Sequence, residues 1–397
     1  MKIIATIFLS IFALSVSAQD SAYVKRKLSE TDINVLFSFY TQDGDHSAVT
    51  GGIGTENLQV YAPQLNVTHT IDSVHTLLFD AGIDFITSAS TDNIDYNMSS
   101  ASRQDAHIHA SAGFSHYFRK PALELGFRGS FGLESDFLSG GFQLWFYHPD
   151  KSGMTSYYAS LQAFFDDMRW GRLSEDNKSD LTLIYPVELR DTSWFDIYMR
   201  YSYNLDFGIE RIINKRMVIG FYPGIIIQTG LLSTPFHRVY FMEEEKARVE
   251  NLPTRRIKVP LGFKLNSYIS TSFILNTFYR FYADDFGISS NTIELETYYK
   301  INPYITPTLS LRFYQQTPSK YFKPYKEHLT SDTWYTSDYD LSAFYSIRAG
   351  AGLRFTPFKK MSSKWSFDVI DLMYNYYWRS DGLDAHIIST YFGIKRR

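Results

Sequence analysis

"RRIKVPLGFKLNSYI", from Arg255 to Ile269, decides the fold. Ile257, Val259, Leu261, Phe263 and Leu265 are apolar, and Arg256, Lys258, Pro260, Gly262, Lys264 and Asn266 fill the places between them. Successive side chains of a strand point to opposite faces, so this run has one apolar and one polar face. "DIYMRYSYNLDFGIE" (Asp196 to Glu210) and "NPYITPTLSLRFYQ" (Asn302 to Gln315) repeat the pattern. Strands of soluble proteins average about 5–6 residues, and a β-sandwich would be built of such pieces. A tilted strand needs roughly 9–11 residues to cross a bilayer. No water reaches its backbone there, so the strands must pair all round and close. The expected fold is all-β: an antiparallel transmembrane β-barrel of about 16 strands, within a range of about 14–18.

The connections support this reading. Candidate strands run from Thr31 to Thr41, Asn57 to Thr70 and His75 to Thr87, and onward to Asp338 to Phe355, Lys364 to Arg379 and Gly382 to Ile394. Short links such as "IDSV", "RK", "INK" and "IN" take every second gap, and the long links fall in the others. Outer-membrane barrels alternate short periplasmic turns with long outer loops in this way.

The first 18 residues, MKIIATIFLSIFALSVSA, have a basic start, an apolar stretch and a small-residue cleavage pattern. They read as a cleaved signal peptide, with residues 19–30 as a periplasmic lead-in and 31–397 as the barrel. The chain contains no cysteine, which excludes disulfides, thiol chemistry and lipid attachment to a cysteine. A net charge of −3 without a basic block argues against nucleic acid as a partner. Thirty Tyr and 32 Phe suit a barrel in outer-membrane lipid, where amphipathic rings settle at headgroup depth.

Motifs for other chemistry are weak. Gly51, Gly52 and Gly54 in "QDGDHSAVTGGIGTE" (Gln42 to Glu56) suggest a phosphate loop, but "NLQVYAPQLNVTHT" behind them is a strand and not a helix. Asp43 and Asp45 lack the remaining ligands of a calcium loop, so the segment reads as a loop tip. His107 and His109 share a polar face with Asp105 and are a minor metal candidate beside the reading as lumen lining. No G-x-S-x-G elbow occurs, so a rim hydrolase is the outsider, and neither catalytic residues nor a cofactor are expected.

Strand parity aims thirteen charged residues inward: Asp80, Asp84, Arg200, Asp206, Glu210, Lys258, Lys264, Arg280, Glu294, Glu296, Arg312, Arg348 and Arg354. The cations gather in the C-terminal half. Rings of Arg and Lys bias a pore toward anions. Mixed signs on neighbouring strands instead pair and stiffen the wall.

Several whole strings, "GLLSTPFHRVYF" (Gly230 to Phe241), "YRFYADDFGISSNT" (Tyr279 to Thr292) and "YFKPYKEHLTSDTWYTSDYDLSAF" (Tyr321 to Phe344), carry a resemblance. The chain resembles, from about Lys27 onward, a family of Bacteroidetes-type outer-membrane proteins catalogued as domain of unknown function 3570. The resemblance implies an outer-membrane barrel without an established activity. Genes of that family can neighbour those of a small lipoprotein, a thioredoxin-like protein and a flavin transferase, so the resemblance also implies a role beside periplasmic redox proteins. The family-like loops are rich in aromatics, proline and charge, a composition that packs or binds. They are expected to fold over or into the barrel mouth, with His237, Arg238, Glu327, His328 and Asp338 as anchors.

The leading expectation is therefore a channel or transporter for small polar or anionic solutes. The alternative is a non-conducting scaffold that docks periplasmic or surface partners.

Overall fold

The computed structural model describes residues 29–88, 104–134, 138–168, 198–234, 237–357, 362 and 364–396. The leader and residues 19–28 lie outside this set, as does the Asp105 side chain. The strands are β1 (Glu30–Asp43), β2 (Leu58–Ile71), β3 (His75–Ser88), β4 (Gln104–Phe118), β5 (Leu123–Leu133) and β6 (Leu138–Pro149). Next come β7 (Thr155–Asp167), β8 (Met199–Asn214), β9 (Met217–Gly230), β10 (Arg238–Val239), β11 (Arg248–Val249) and β12 (Arg255–Tyr268). The last are β13 (Phe273–Asp284), β14 (Ser289–Tyr299), β15 (Ile305–Gln316), β16 (Phe344–Phe355), β17 (Trp365–Arg379) and β18 (Asp384–Arg396).

All but β10 and β11 form one closed barrel of 16 antiparallel strands, each beside its neighbour in sequence. β1 and β18 shut the ring in unbroken register from Thr31↔Arg396 to Asp43↔Asp384. Closure leaves no free edge, so the backbone groups of every barrel strand have partners on both sides. Among the described residues no helix is long and apolar enough to cross a membrane.

The apolar half of the alternation covers the outside. Phe79, Phe127, Leu144, Phe207, Phe263, Leu311 and Leu353 are 44%, 49%, 44%, 45%, 47%, 49% and 48% exposed. A soluble protein does not display a continuous apolar band of this extent, whereas hydrocarbon covers one. Tyr61, Tyr203, Tyr345, Tyr374, Tyr376 and Trp378 rim the band toward the long-loop end, and Tyr157 and Tyr299 toward the short-turn end. These positions suit rings that are half apolar and half hydrated.

One reading needs correction. The strand expected from Asp338 begins at Phe344, because Tyr339–Leu341 is a 3-10 turn capped by the Asp338 side chain, which accepts from the Asp340 N–H. Asp338 and Asp340 favour such local bonds over a ladder. The long link between β9 and β12 also holds structure of its own, the two-stranded β10–β11 sheet.

The buried apolar residues are concentrated at the long-loop end. Leu231, Val239, Phe241, Val249, Leu252, Phe286, Ile288, Tyr335, Leu383 and Ala385 are each at most 9% exposed. Val239, Phe241 and Tyr335 form one cluster.

Candidate functional site

The face opposite the apolar band is polar and knit by charge. Asp80 accepts from Ser111 Oγ at 3.0 Å and faces Arg128 Nη1 at 3.4 Å. Asp84 meets His107 Nδ1 at 3.2 Å. Arg200 Nε donates to Asp166 at 2.8 Å, and Ser139 holds the other oxygen of that carboxylate at 2.7 Å. Lys264 reaches Glu210 at 3.3 Å, and Tyr222 donates to the same oxygen. Arg354 binds Asp371 through two parallel bonds of 2.8 and 2.7 Å, the bidentate form that best fixes a guanidinium. Asp206 stands opposite Gly224, Lys258 opposite Asp284, and Glu296 between Asn276 and Ser310.

One patch is not balanced. Arg312 is the register partner of both Glu294 and Arg348, while Arg280 stands across from Thr292, one rung away. Glu294 is bonded to Arg348 at 2.6 Å. The Nε atoms of Arg280, Arg312 and Arg348 are buried and have no hydrogen-bond partner in the protein. Three guanidinium groups around one carboxylate leave a local excess of positive charge, and a buried unpaired donor is costly.

The long loops fold inward onto this wall. A cavity of about 240 Å³ has Arg200, Gln228, Arg256 and Lys258 on one side and Glu250 and Asp338 on the other. The barrel residues among these belong to the polar face, which is therefore the lumen. A second cavity, about 540 Å³, lies beside it and is lined by His107, His109, Asp166, Arg200 and Lys258.

Three loops build the assembly. The segment after β1 turns through Ala48–Thr50, with Gly51 and Gly52 both at φ 84. A Cβ on Gly51 would lie 2.6 Å from the Tyr240 ring, and one on Gly52 2.8 Å from the Ser337 carbonyl oxygen. Gly51 and Gly52, two of the three glycines that resembled a phosphate loop, are thus required by positive φ and by close approach to the other two loops. His46 stacks on Tyr339 at 3.8 Å between ring centroids. Phe241 bridges to His328 and Asn251 to Tyr335, which joins residues 231–254 to residues 317–343.

The five expected loop anchors have different settings. His328 is 1% exposed; its Nδ1 pairs with Asp332 at 3.0 Å and its Nε2 with the Thr336 carbonyl at 3.0 Å. Arg238 pairs through its backbone with Val249. Glu327 is exposed. His237 and Asp338 meet, and Glu250, which sequence reading did not single out, completes their group. Glu250 is 1% exposed, and no periodicity marks it, because its burial arises only when two distant loops pack.

The electrostatics of this group are unusual for a protein surface. Burial alone pushes the His237 imidazole down, yet Glu250, Asp338 and Asp340 push it up to about 9. Burial raises Asp338 to about 6, aided by Asp340 and Glu250 and opposed by His237. Burial and the charges of Asp340 and Asp338 likewise push Glu56 up to about 7.

The structure also places Asp84, His107 and His109 within ligand distance of one another on the lumen wall.

The family model described as "Protein of unknown function (DUF3570)" matches residues 100–387. Among solved structures, the outer membrane protein OpdK from Pseudomonas aeruginosa is similar, with a TM-score of 0.41 and 7% identity over 92% of this chain and 99% of that one. A bacterial polysaccharide outer membrane secretin has a TM-score of 0.47 and 10% identity, over 94% of this chain and 99% of its own. CymD, a monoaromatic hydrocarbon channel, has a TM-score of 0.39 and 9% identity, over 92% and 88%. No curated protein matches the sequence.

Proposed function

We propose that this chain, which belongs to the DUF3570 family of proteins of unknown function, is an outer-membrane channel for small anionic solutes, gated by its own long loops. The arginine patch of Arg280, Arg312 and Arg348 carries the reading, since Glu294 is its only acidic register partner. Within a low-dielectric wall such an excess concentrates anions and lowers their cost of passage. Lys258, beside the cavity under the loops, would extend the positive path toward the mouth.

Planar-bilayer conductance of the folded barrel under a potassium chloride gradient tests this. The expected result is discrete steps with a reversal potential on the anion side, moved toward neutrality by Arg280→Ala or Arg312→Ala. Cation preference unaffected by either substitution would refute the anion path.

A second reading is a non-conducting barrel that docks surface or periplasmic partners, a periplasmic lipoprotein among them. The observation in its favour is the loop assembly, a packed body across the mouth. Silence in the bilayer from folded protein, even after the loops are loosened by Phe241→Ala, would favour this scaffold over the channel.

A further inference from the structure

We infer that His237, Glu250 and Asp338 form a binding site for a divalent transition cation of the zinc class, which ties residues 231–254 to residues 317–343. One atom from each of the three side chains lies within 4.8 Å of the other two. His237 Nδ1 is 3.6 Å from Glu250 Oε1 and 3.6 Å from Asp338 Oδ2.

That spacing is informative. A charged hydrogen bond would draw nitrogen and oxygen to about 2.7–2.9 Å. Two donors held at about 2.0–2.1 Å from a shared ion, at angles of about 110–120°, stand roughly 3.3–3.6 Å apart. The Nδ1 atom is buried and has no hydrogen-bond partner, and so directs its lone pair or proton into the gap.

The remaining atoms of the group are fixed as they are around known metal ligands, where outer partners orient the donors. Glu250 Oε2 accepts from the Thr234 N–H at 2.6 Å, and Oε1 from Thr336 Oγ1 at 2.5 Å. Thr336 Oγ1 in turn accepts from the Asp338 N–H at 3.0 Å. Asp338 Oδ1 accepts from the Asp340 N–H at 2.9 Å, which leaves Oδ2 for the gap. The His237 N–H donates to the Thr234 carbonyl at 3.1 Å, and the Glu250 N–H to the His237 carbonyl at 3.0 Å. The frame thus sets the three donors before any ion arrives.

Charge favours the ion as well. A divalent cation with neutral imidazole brings two carboxylates and a histidine to zero net charge, whereas a proton leaves them at −1. Of the cations that share the adjacent cavity, Arg200 and Arg256 are already bound to Asp166 and Asp284, and Lys258 stands opposite Asp284. That cavity gives water access to a fourth position beside Glu250 and Asp338. Nitrogen and carboxylate donors without sulfur select zinc-class ions over soft monovalent copper.

The test is zinc titration of the full-length folded barrel in detergent after chelator treatment, by calorimetry. A His107→Ala/His109→Ala background removes the histidines of the other cluster near Asp84. One zinc per chain is expected in that background, with at least tenfold weaker binding after His237→Ala or Asp338→Asn. Cobalt should report the same site through a visible absorption band lost in both variants. Heat-modifiable migration in gels verifies that each variant barrel is folded. Zinc affinity unchanged by both substitutions, or no zinc bound by the folded background protein, would overturn the site.

Discussion

The barrel wall and the loop assembly are built on opposite plans. The wall turns its apolar side chains outward: Phe127 and Leu311 are each 49% exposed, while Arg348 and Glu294 pair within. The loops do the reverse, burying Phe241 and Val239 completely and leaving Glu327 in solvent. The wall is stable because backbone pairing closes and lipid covers its outside. The loop assembly is held like a small soluble domain, by excluded apolar area and a few buried polar bonds. Changes that damage one should therefore spare the other.

The largest separation is expected from Phe241→Ala. Phe241 is fully buried, stacks edge-on against Tyr335 with 4.9 Å between centroids, and lies 4.6 Å beneath the Arg248 guanidinium. Removing a buried phenyl ring costs about 3–5 kcal/mol. The loops should open while the barrel keeps its heat-modifiable migration. Limited proteolysis should cut within residues 231–254, and any conductance should rise. A variant as protease-resistant as the parent would show that this core does not hold the loops.

Leu311→Arg makes the opposite cut. Leu311 lies on β15 in the apolar band, where a charge at the bilayer midplane costs roughly 2–4 kcal/mol. Urea unfolding of the barrel in lipid vesicles should shift by about that amount. Loop cleavage in the folded fraction should stay at the parental rate.

These two residues also show which part of the molecule could be read in its sequence. Leu311 sits in an alternation that runs through β15, and β8 and β12 repeat the signal, so the wall was legible down to the ends of β7, Thr155–Asp167. Phe241 follows Arg238–Val239, a strand too short to show a period, and its neighbours Tyr335 and His328 arrive from about ninety residues away. Composition indicated that the loops would pack, and His237, His328 and Asp338 were visible as polar residues among aromatics. Glu250 was not visible, because its role depends on Thr234 and Thr336, which only the folded loops bring to it. The false strand start at Asp338 has the same origin: the Asp340 N–H finds the Asp338 side chain and not a neighbouring strand.

Gly52→Val probes the seam between the loop after β1 and the rest of the assembly. At φ 84 a β-branched residue is strained by about 1–3 kcal/mol, and its Cβ would meet the Ser337 carbonyl at 2.8 Å. Stacking of His46 on Tyr339 should be lost. Proteolysis should then reach residues 44–57 sooner than residues 317–343, since the Phe241 cluster is untouched. Equal acceleration at both loops would mean that the assembly opens as one body.

The smallest effect is expected from pH, at Asp332 in the loop after β15. Burial by itself pushes Asp332 up, but Lys323, His328 and the Leu329 N–H outweigh it and hold the carboxyl at about 2, below its ordinary 3.8. A carboxylate lowered in the folded state contributes stability above pH 3.8, and loses that contribution as pH falls toward 2. Lys323 Nζ lies 2.6 Å and His328 Nδ1 3.0 Å from the same oxygen, so one protonation weakens two links of residues 317–343. Pepsin, active across this window, should cut that loop progressively faster from pH 4 to pH 2. Asp332→Asn should raise the rate at pH 4 and flatten the slope. A slope identical in parent and variant would assign the acid response to other carboxylates and leave Asp332 a bystander.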